Sequence, residues 1–167
     1  MRSMSLLIIL CSIAMTYGAR APAQGLTASS LRKPARVVFV CEHGSVKSLI
    51  AMDYFNRSAG ERGLAYRAVA RGTAPDATVP GPVREGLRGD GFVVSGFVPR
   101  LFNATDVDGA SLVVSFDQDV EKIVGGRARH LRWDNLPAVS TDYALGRDEI
   151  VRHVDALIDE LARGASP

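Results

Sequence analysis

From Arg36 onward, short apolar runs alternate with longer stretches that are apolar on one helical face only. Residues 36–40 (RVVFV) are unbroken after the arginine, as in a strand covered on both sides of a sheet. Residues 65–72 (AYRAVARG), 111–116 (SLVVSF) and 128–133 (ARHLRW) read as three further strands. Residues 45–62 place Val46, Leu49, Ile50, Tyr54 and Phe55 near helical spacing, with Ser45 available as an N-cap. Residues 81–91 (GPVREGLRGDG) predict a short helix stopped by glycine, and residues 117–126 (DQDVEKIVGG) a helical turn or two. Residues 147–164 carry Ile150, Val151, Val154, Leu157, Ile158 and Leu161 on one face of a long amphipathic helix. Residues 72–80 and 134–146 read as loops, and residues 103–110 as a short polar segment. Strands that alternate with helices predict an α/β fold: a parallel sheet covered on both faces, with right-handed crossovers. No repeat and no low-complexity block interrupts the pattern. In such sheets the working site lies beyond the carboxyl ends of the strands, and Cys41 ends the first of them.

The residues before this pattern change the reading of charge and of cysteine. Residues 1–23 join Arg2, an apolar stretch from Leu6 to Met15 and the small-x-small run Ala21-Pro22-Ala23. That is the layout of a cleaved secretory signal peptide, and the apolar run is short for a membrane span. Cys11 does not read as a lipoprotein acceptor, because Leu10 precedes it where a small residue is wanted. Residues 24–34 are polar and small, a linker ahead of one domain over residues 35–164. Length agrees, since 167 residues suit a single core. The expected location is the periplasm or the extracellular space, with no stable membrane anchor once the signal is cleaved. Cleavage removes Arg2 and Arg20, so Lys+Arg falls from 20 to 18 and equals the 18 Asp+Glu. A neutral mature chain lacks the electrostatic footprint of a nucleic-acid partner. Of the two cysteines only Cys41 then remains, so the thiol has no disulfide partner within the chain.

Residues 41–48 (CEHGSVKS) link that first strand to the first helix. The backbone N–H groups of Glu42, His43, Gly44, Ser45, Val46 and Lys47 can curl around a common point at the helix N-terminus. Those donors have no partner within the helix, and the helix dipole adds positive potential. Gly44 supplies the backbone angles that such a nest requires. A phosphate-sized oxyanion fits the cradle. The same donors, with a hydrogen bond from Ser48, favour negative charge on Cys41, and a thiolate beneath a tetrahedral anion is placed for in-line attack. The alternative is an inert, buried cysteine packed as a small hydrophobe.

This loop resembles the phosphate-binding loop of the low-molecular-weight protein tyrosine phosphatases and the related thioredoxin-coupled arsenate reductases, whose pattern is an apolar strand, Cys, five residues, Arg, Ser. Residues 68–75 (AVARGTAP) stand where that family has its Ser-Ala-Gly-Thr strand end. Residues 83–102 and 109–117 (GASLVVSFD) are similar to the family's following segments, so the resemblance runs from Arg36 to Leu161. It implies a flavodoxin-like three-layer sandwich with a four-stranded parallel sheet flanked by helices. It also implies a phosphomonoesterase without cofactor, whose partner is a phosphorylated small molecule, a phosphoprotein or another oxyanion. In that reading Cys41 is the nucleophile, Ser48 its hydrogen-bond donor and residues 42–47 the phosphate cradle.

Several positions depart from the family's pattern. The loop arginine is Lys47, a point charge in place of a planar fork. His43 replaces a glycine, Gly44 an asparagine, and Val46 a second cysteine found in many of these phosphatases. His43 lies within the anion loop, facing either the oxyanion or solvent. The arsenate reductases pass oxidation through two further cysteines that a mature chain would lack, so arsenate reduction requires an external thiol. The family's general acid is an aspartate, usually before proline, after the last strand. No Asp-Pro occurs here; Asp142 is favoured by its distance from the last helix and Asp134 by its closeness to the strand, with capping or solvent exposure the alternative for both. Asp117 and Asp119 read as helix-capping residues or as the border of a pocket, and Trp133 as a core residue or the wall of a cleft. His130 and His153 receive no role, and no set of residues has metal-ligand spacing. The sequence therefore points to a cysteine-dependent phosphatase. A non-catalytic oxyanion-binding module and an arsenate reductase served by an outside thiol are the alternatives. It does not set the oligomeric state.

Overall fold

Each β-branched run becomes a strand: β1 (Ala35–Cys41), β2 (Tyr66–Gly72), β3 (Ala110–Phe116) and β4 (Arg129–Trp133). The computed structural model describes residues 33–164, so the expected signal segment and most of the expected linker lie outside the described residues. All three strand pairings are parallel, in the order β2-β1-β3-β4. β1 is central, and Val37, Val38, Phe39 and Val40 have no exposed surface. Side chains of a strand alternate between faces, so the unbroken apolar run feeds two cores. Val37 and Phe39 pack with Leu112, Val114 and Phe116 of β3 on one face, and Val38 and Val40 with Val113 on the other.

The first face is covered by α1 (Lys47–Glu61), α2 (Gly81–Gly89) and α5 (Tyr143–Gly164). The second is covered by the short helices α3 (Ala104–Val107) and α4 (Glu121–Val124) together with Phe102. The result is the expected three-layer α/β sandwich. α3 is an addition to the sequence reading, written in the capping box of Asn103 and Asp106. α5 starts four residues earlier than the apolar pattern, because Asp142 accepts from the Leu145 amide and caps its first turn.

The exposed edge of β2 is protected locally. The Asn56 carboxamide of α1 donates to the Ala68 carbonyl at 3.1 Å and accepts from the Ala68 amide at 2.8 Å, replacing a missing strand. Trp133 is partly buried and packs against Phe39, Phe116 and His153 at the edge of the core. His130 bridges the buried Ser115 hydroxyl (2.9 Å) and Glu121 (3.0 Å), a polar tie between β3, β4 and α4.

One group works against stability. Among the described residues, Asp53 Oδ2 in α1 is the only buried side-chain oxygen or nitrogen without a partner. Burial pushes the Asp53 carboxyl up to about 6, against the opposing charges of Arg57 and Arg67. With the folded value above the unfolded one, the contribution of this group is fullest below the ordinary value of 3.8 and is lost as pH rises to about 6. Asp53→Asn should therefore stabilise the protein at pH 8 by about 1 kcal/mol, after allowance for partial solvent screening. The gain should be clearly smaller at pH 4.5, where only the unfolded carboxyl is ionised. Denaturant titrations at the two values check the sign.

Candidate active site

The order β2-β1-β3-β4 makes the chain leave β1 to one side and return to the other, so a crevice opens beyond the carboxyl ends of β1 and β3. Cys41 ends β1, and Phe116, Asp117 and Gln118 stand at the end of β3. These residues line a cavity of about 380 Å³ together with Glu42, His43, Val46, Lys47, Asp76, Pro80, Ala138, Val139 and Ser140.

The loop from Cys41 to Lys47 is shaped from behind. Thr73, Ala74 and Asp76 donate their amides to the carbonyls of Cys41, Glu42 and His43 at 3.0, 2.8 and 3.0 Å. In a trans peptide the N–H points opposite to the C=O, so the amides of Glu42, His43 and Gly44 are turned the other way. The Gly44 amide does reach Cys41 Sγ, at 3.2 Å. Gly44 has φ +66°, and the β2 register (Cys41 opposite Gly72) presses it against Gly72. A Cβ on Gly44 would lie 2.8 Å from the Gly72 nitrogen, and a Cβ on Gly72 would lie 2.8 Å from the Glu42 oxygen. Two glycines are needed because two backbones meet there.

Ser45 does not cap α1. Its hydroxyl donates to Asp76 Oδ2, and the N-cap position falls to Val46, which has no side chain to offer the helix. The first amides of α1 are thus without an internal acceptor beside the thiol, as an anion site requires. Cys41 is buried, 5% exposed, at the base, with the buried Ser48 hydroxyl 3.1 Å from its Sγ. The Gly44 amide donates to this sulfur, and the Ser48 hydroxyl shares a hydrogen bond with it in which either group can be the donor.

Lys47 Nζ donates to Asp117 Oδ2 at 2.7 Å and to the Leu136 carbonyl at 3.2 Å. Asp117 is held in the left-handed region, φ +54°, and its Oδ1 accepts from the Asn135 amide at 2.8 Å. Burial pushes the Asp117 carboxyl up, but the Lys47 and Asn135 hydrogen bonds and the Lys47 charge outweigh it and hold the group below the usual carboxylate range. His43 Nδ1 lies 3.2 Å from Asp76 Oδ1. Thr73 donates to Gln118 at 2.8 Å and closes the rim between the loops after β2 and β3.

Of the residues singled out from the sequence, Cys41, Glu42, His43, Val46 and Lys47 line the cavity. Gly44 and Ser45 form the back of the loop and Ser48 lies under the thiol. Asp142 is engaged as the cap of α5, and both Asp134 oxygens face Arg132; neither residue lines the cavity. The carboxylates that do line it besides Glu42 are Asp76 and Asp117. Asp76 carried no signal beyond its loop, whereas Asp117 stands where a strand end meets the switch point. Among the described residues no cluster of His, Cys, Asp and Glu could hold a metal.

Several solved structures share this architecture. YfkJ from Bacillus subtilis aligns with a TM-score of 0.70 at 16% identity, over 81% of this chain and 99% of its own. A low molecular weight protein tyrosine phosphatase from T. tengcongensis aligns at 0.66 and 19% identity, over 75% and 99%. A thioredoxin-dependent arsenate reductase from Corynebacterium glutamicum aligns at 0.63 and 17% identity, over 80% of this chain and 64% of its own. We found no match among curated protein sequences. Identities this low establish the fold alone. The affiliation comes from the sequence model of one family, which matches residues 36–132, from the first strand through the fourth. More than half of the chain lies within that match, and the chain belongs to the low molecular weight phosphotyrosine protein phosphatase family.

Proposed function

We propose that the protein hydrolyses phosphomonoesters through a phosphocysteine at Cys41. The observation that carries this is the sulfur itself: it sits at the base of an anion cradle, with Gly44 N–H at 3.2 Å and the Ser48 hydroxyl at 3.1 Å, and it opens into a cavity. The phosphate group occupies the amides of residues 42–47. Lys47 turns from Asp117 to the equatorial oxygens and neutralises the charge that builds there. Sγ attacks phosphorus in line, the ester oxygen leaves, and water then cleaves the S–P bond. Val46, Phe116, Pro80 and Val139 give the cavity apolar walls, and about 380 Å³ holds an aromatic ring. An aryl phosphate is therefore the probe of choice. Residues 1–23 support a site of action outside the cytoplasm, which cell fractionation tests.

A second reading is an oxyanion-binding module without turnover, favoured by the one cation of the cradle being tied to Asp117. Arsenate reduction stands behind both, because Cys41 is the only cysteine among the described residues and, once the expected signal segment with Cys11 is cleaved, a second thiol comes from outside. Incubating the purified protein with an aryl phosphate, and separately with arsenate plus a small thiol, separates the three. Phosphate binding without either reaction would sink the enzyme reading.

Lys47 supplies a quantitative check. Lys47→Met should lower kcat/KM for the aryl phosphate by about 100-fold, as loss of one oxyanion donor does. Lys47→Arg should raise it by about tenfold, because a planar fork grips two oxygens at once. A Met variant as active as the parent would remove Lys47 from the mechanism.

A further inference from the structure

We propose that Asp117, rather than an aspartate of the loop after β4, is the proton donor and acceptor of the reaction, and that phosphate binding arms it by drawing Lys47 away. The proposal rests on the phosphatase reading above and assigns the group that reading leaves open.

The two oxygens of Asp117 are held differently. Oδ1 is fixed by the Asn135 amide, a backbone donor that stays in place, while Oδ2 is held by Lys47 Nζ, a mobile side chain that also forms part of the anion cradle. No other carboxylate near the site has this asymmetry. Asp76 accepts from Ser45 on one oxygen and faces His43 with the other. Asp142 is spent on the Leu145 amide and Asp134 on Arg132. Glu42 is mostly exposed and lies 3.8 Å from His43.

In the free protein Asp117 is ionised, the wrong form for a donor. A bound phosphoester changes both of its electrostatic partners. Lys47 moves from a carboxylate to a dianion, and the dianion adds negative charge beside Oδ2. Each change raises the affinity of Oδ2 for a proton. Arg132 acts on Asp117 as a background charge, and Glu42, His43 and Asp76 line the same cavity. A carboxylate that gains its proton only when substrate is present is a general acid at the pH where the thiolate is a nucleophile.

The Cys41 proton goes to solvent before attack. As the S–P bond forms and the ester P–O bond breaks, the Oδ2 proton passes to the leaving oxygen. Asp117 is left ionised, and it then takes a proton from the attacking water as the P–OH bond forms and S–P breaks. Thiolate and acid are restored, and inorganic phosphate leaves.

The test compares kcat/KM, which reports the step that breaks the ester bond, for dinitrophenyl phosphate and phenyl phosphate. Asp117→Asn keeps an oxygen for the Asn135 amide and loses the proton. It should fall by about 100-fold or more on the phenyl ester, whose leaving group needs a proton, and by less than about tenfold on the dinitrophenyl ester. The alkaline limb of the parent's pH profile should vanish, and Asp117→Glu should recover part of the phenyl ester activity. Inorganic phosphate should bind the Asn variant at least as tightly as the parent, because Lys47 is free. Equal losses on both esters, no loss on either, or loss of phosphate binding would each give Asp117 a structural part and overturn the proposal. So would the same ester-selective loss in Asp142→Asn or Asp134→Asn. A parent inactive on both esters overturns the phosphatase reading and this proposal together, whereas an active parent with an indifferent Asn variant overturns the proposal alone.

Discussion

Cys41→Ser is expected to leave no measurable turnover of aryl phosphates while inorganic phosphate still binds. Serine fits the space of the thiol and keeps the neighbours that Sγ has, the Gly44 amide and the Ser48 hydroxyl. It loses the nucleophile, because an alcohol is far more weakly acidic than a thiol. Loss of a covalent nucleophile costs at least about 10⁴-fold in kcat where the oxyanion site is kept. The binding function belongs to other atoms: the backbone amides of residues 42–47 and Lys47. Two measurements check the prediction together. Steady-state assays give the loss of rate, and calorimetry with inorganic phosphate gives the retained affinity. The intact mass of acid-quenched parent should show one bound phosphate during turnover, and the variant none. A serine variant that still turns over would place the nucleophile elsewhere and end the phosphocysteine mechanism.

The second large effect is at a position with no chemistry. Gly72→Ala should weaken oxyanion binding at least tenfold and lower the melting temperature by several degrees. A Cβ at Gly72 meets the Glu42 oxygen and the Gly44 nitrogen at 2.8 Å and the His43 carbonyl carbon at 2.9 Å. All three are backbone atoms of the anion loop, so no side chain can swing aside. The loop must move off β2, and the amides of Thr73, Ala74 and Asp76 that brace its carbonyls lose their acceptors. Overpacking of this kind costs about 1–3 kcal/mol, or roughly 2–4 °C for each kcal/mol in a domain of this size. Gly60→Ala is the matched control. It lies within α1, nothing stands within 4 Å of its new Cβ, and the helix gains from alanine by about 0.5–1 kcal/mol. Thermal melts and phosphate titrations of the pair separate crowding at the loop from a general intolerance of alanine. A Gly72→Ala protein that binds phosphate like the parent would mean that the cradle is not held in place by β2.

The strands, the three larger helices and the position of Cys41 at a strand end are legible along the chain, because short apolar runs and a period of 3.6 residues are local signals. The anion loop was legible for the same reason: a cysteine, a glycine and a serine at short spacing need only a strand before them and a helix after them. The resemblance to a phosphatase family was carried by that continuous stretch, and the family match later spanned it. Less local features escaped. Ser45 reads as a cap within its own helix, yet its partner is Asp76, 31 residues away. The lysine in the place of the family's arginine is visible as a substitution, but its ion pair with Asp117 joins residues 70 apart. Asp142 and Asp134 were favoured by distance along the chain from the last strand and helix. Whether a carboxylate faces the thiol depends instead on how β3 and β4 lie beside β1, and a parallel sheet with crossovers brings together strand ends that are remote in sequence. The chemistry of the loop is thus a property of residues 41–48, while the state of its lysine and the carboxylate opposite it are properties of the sheet order.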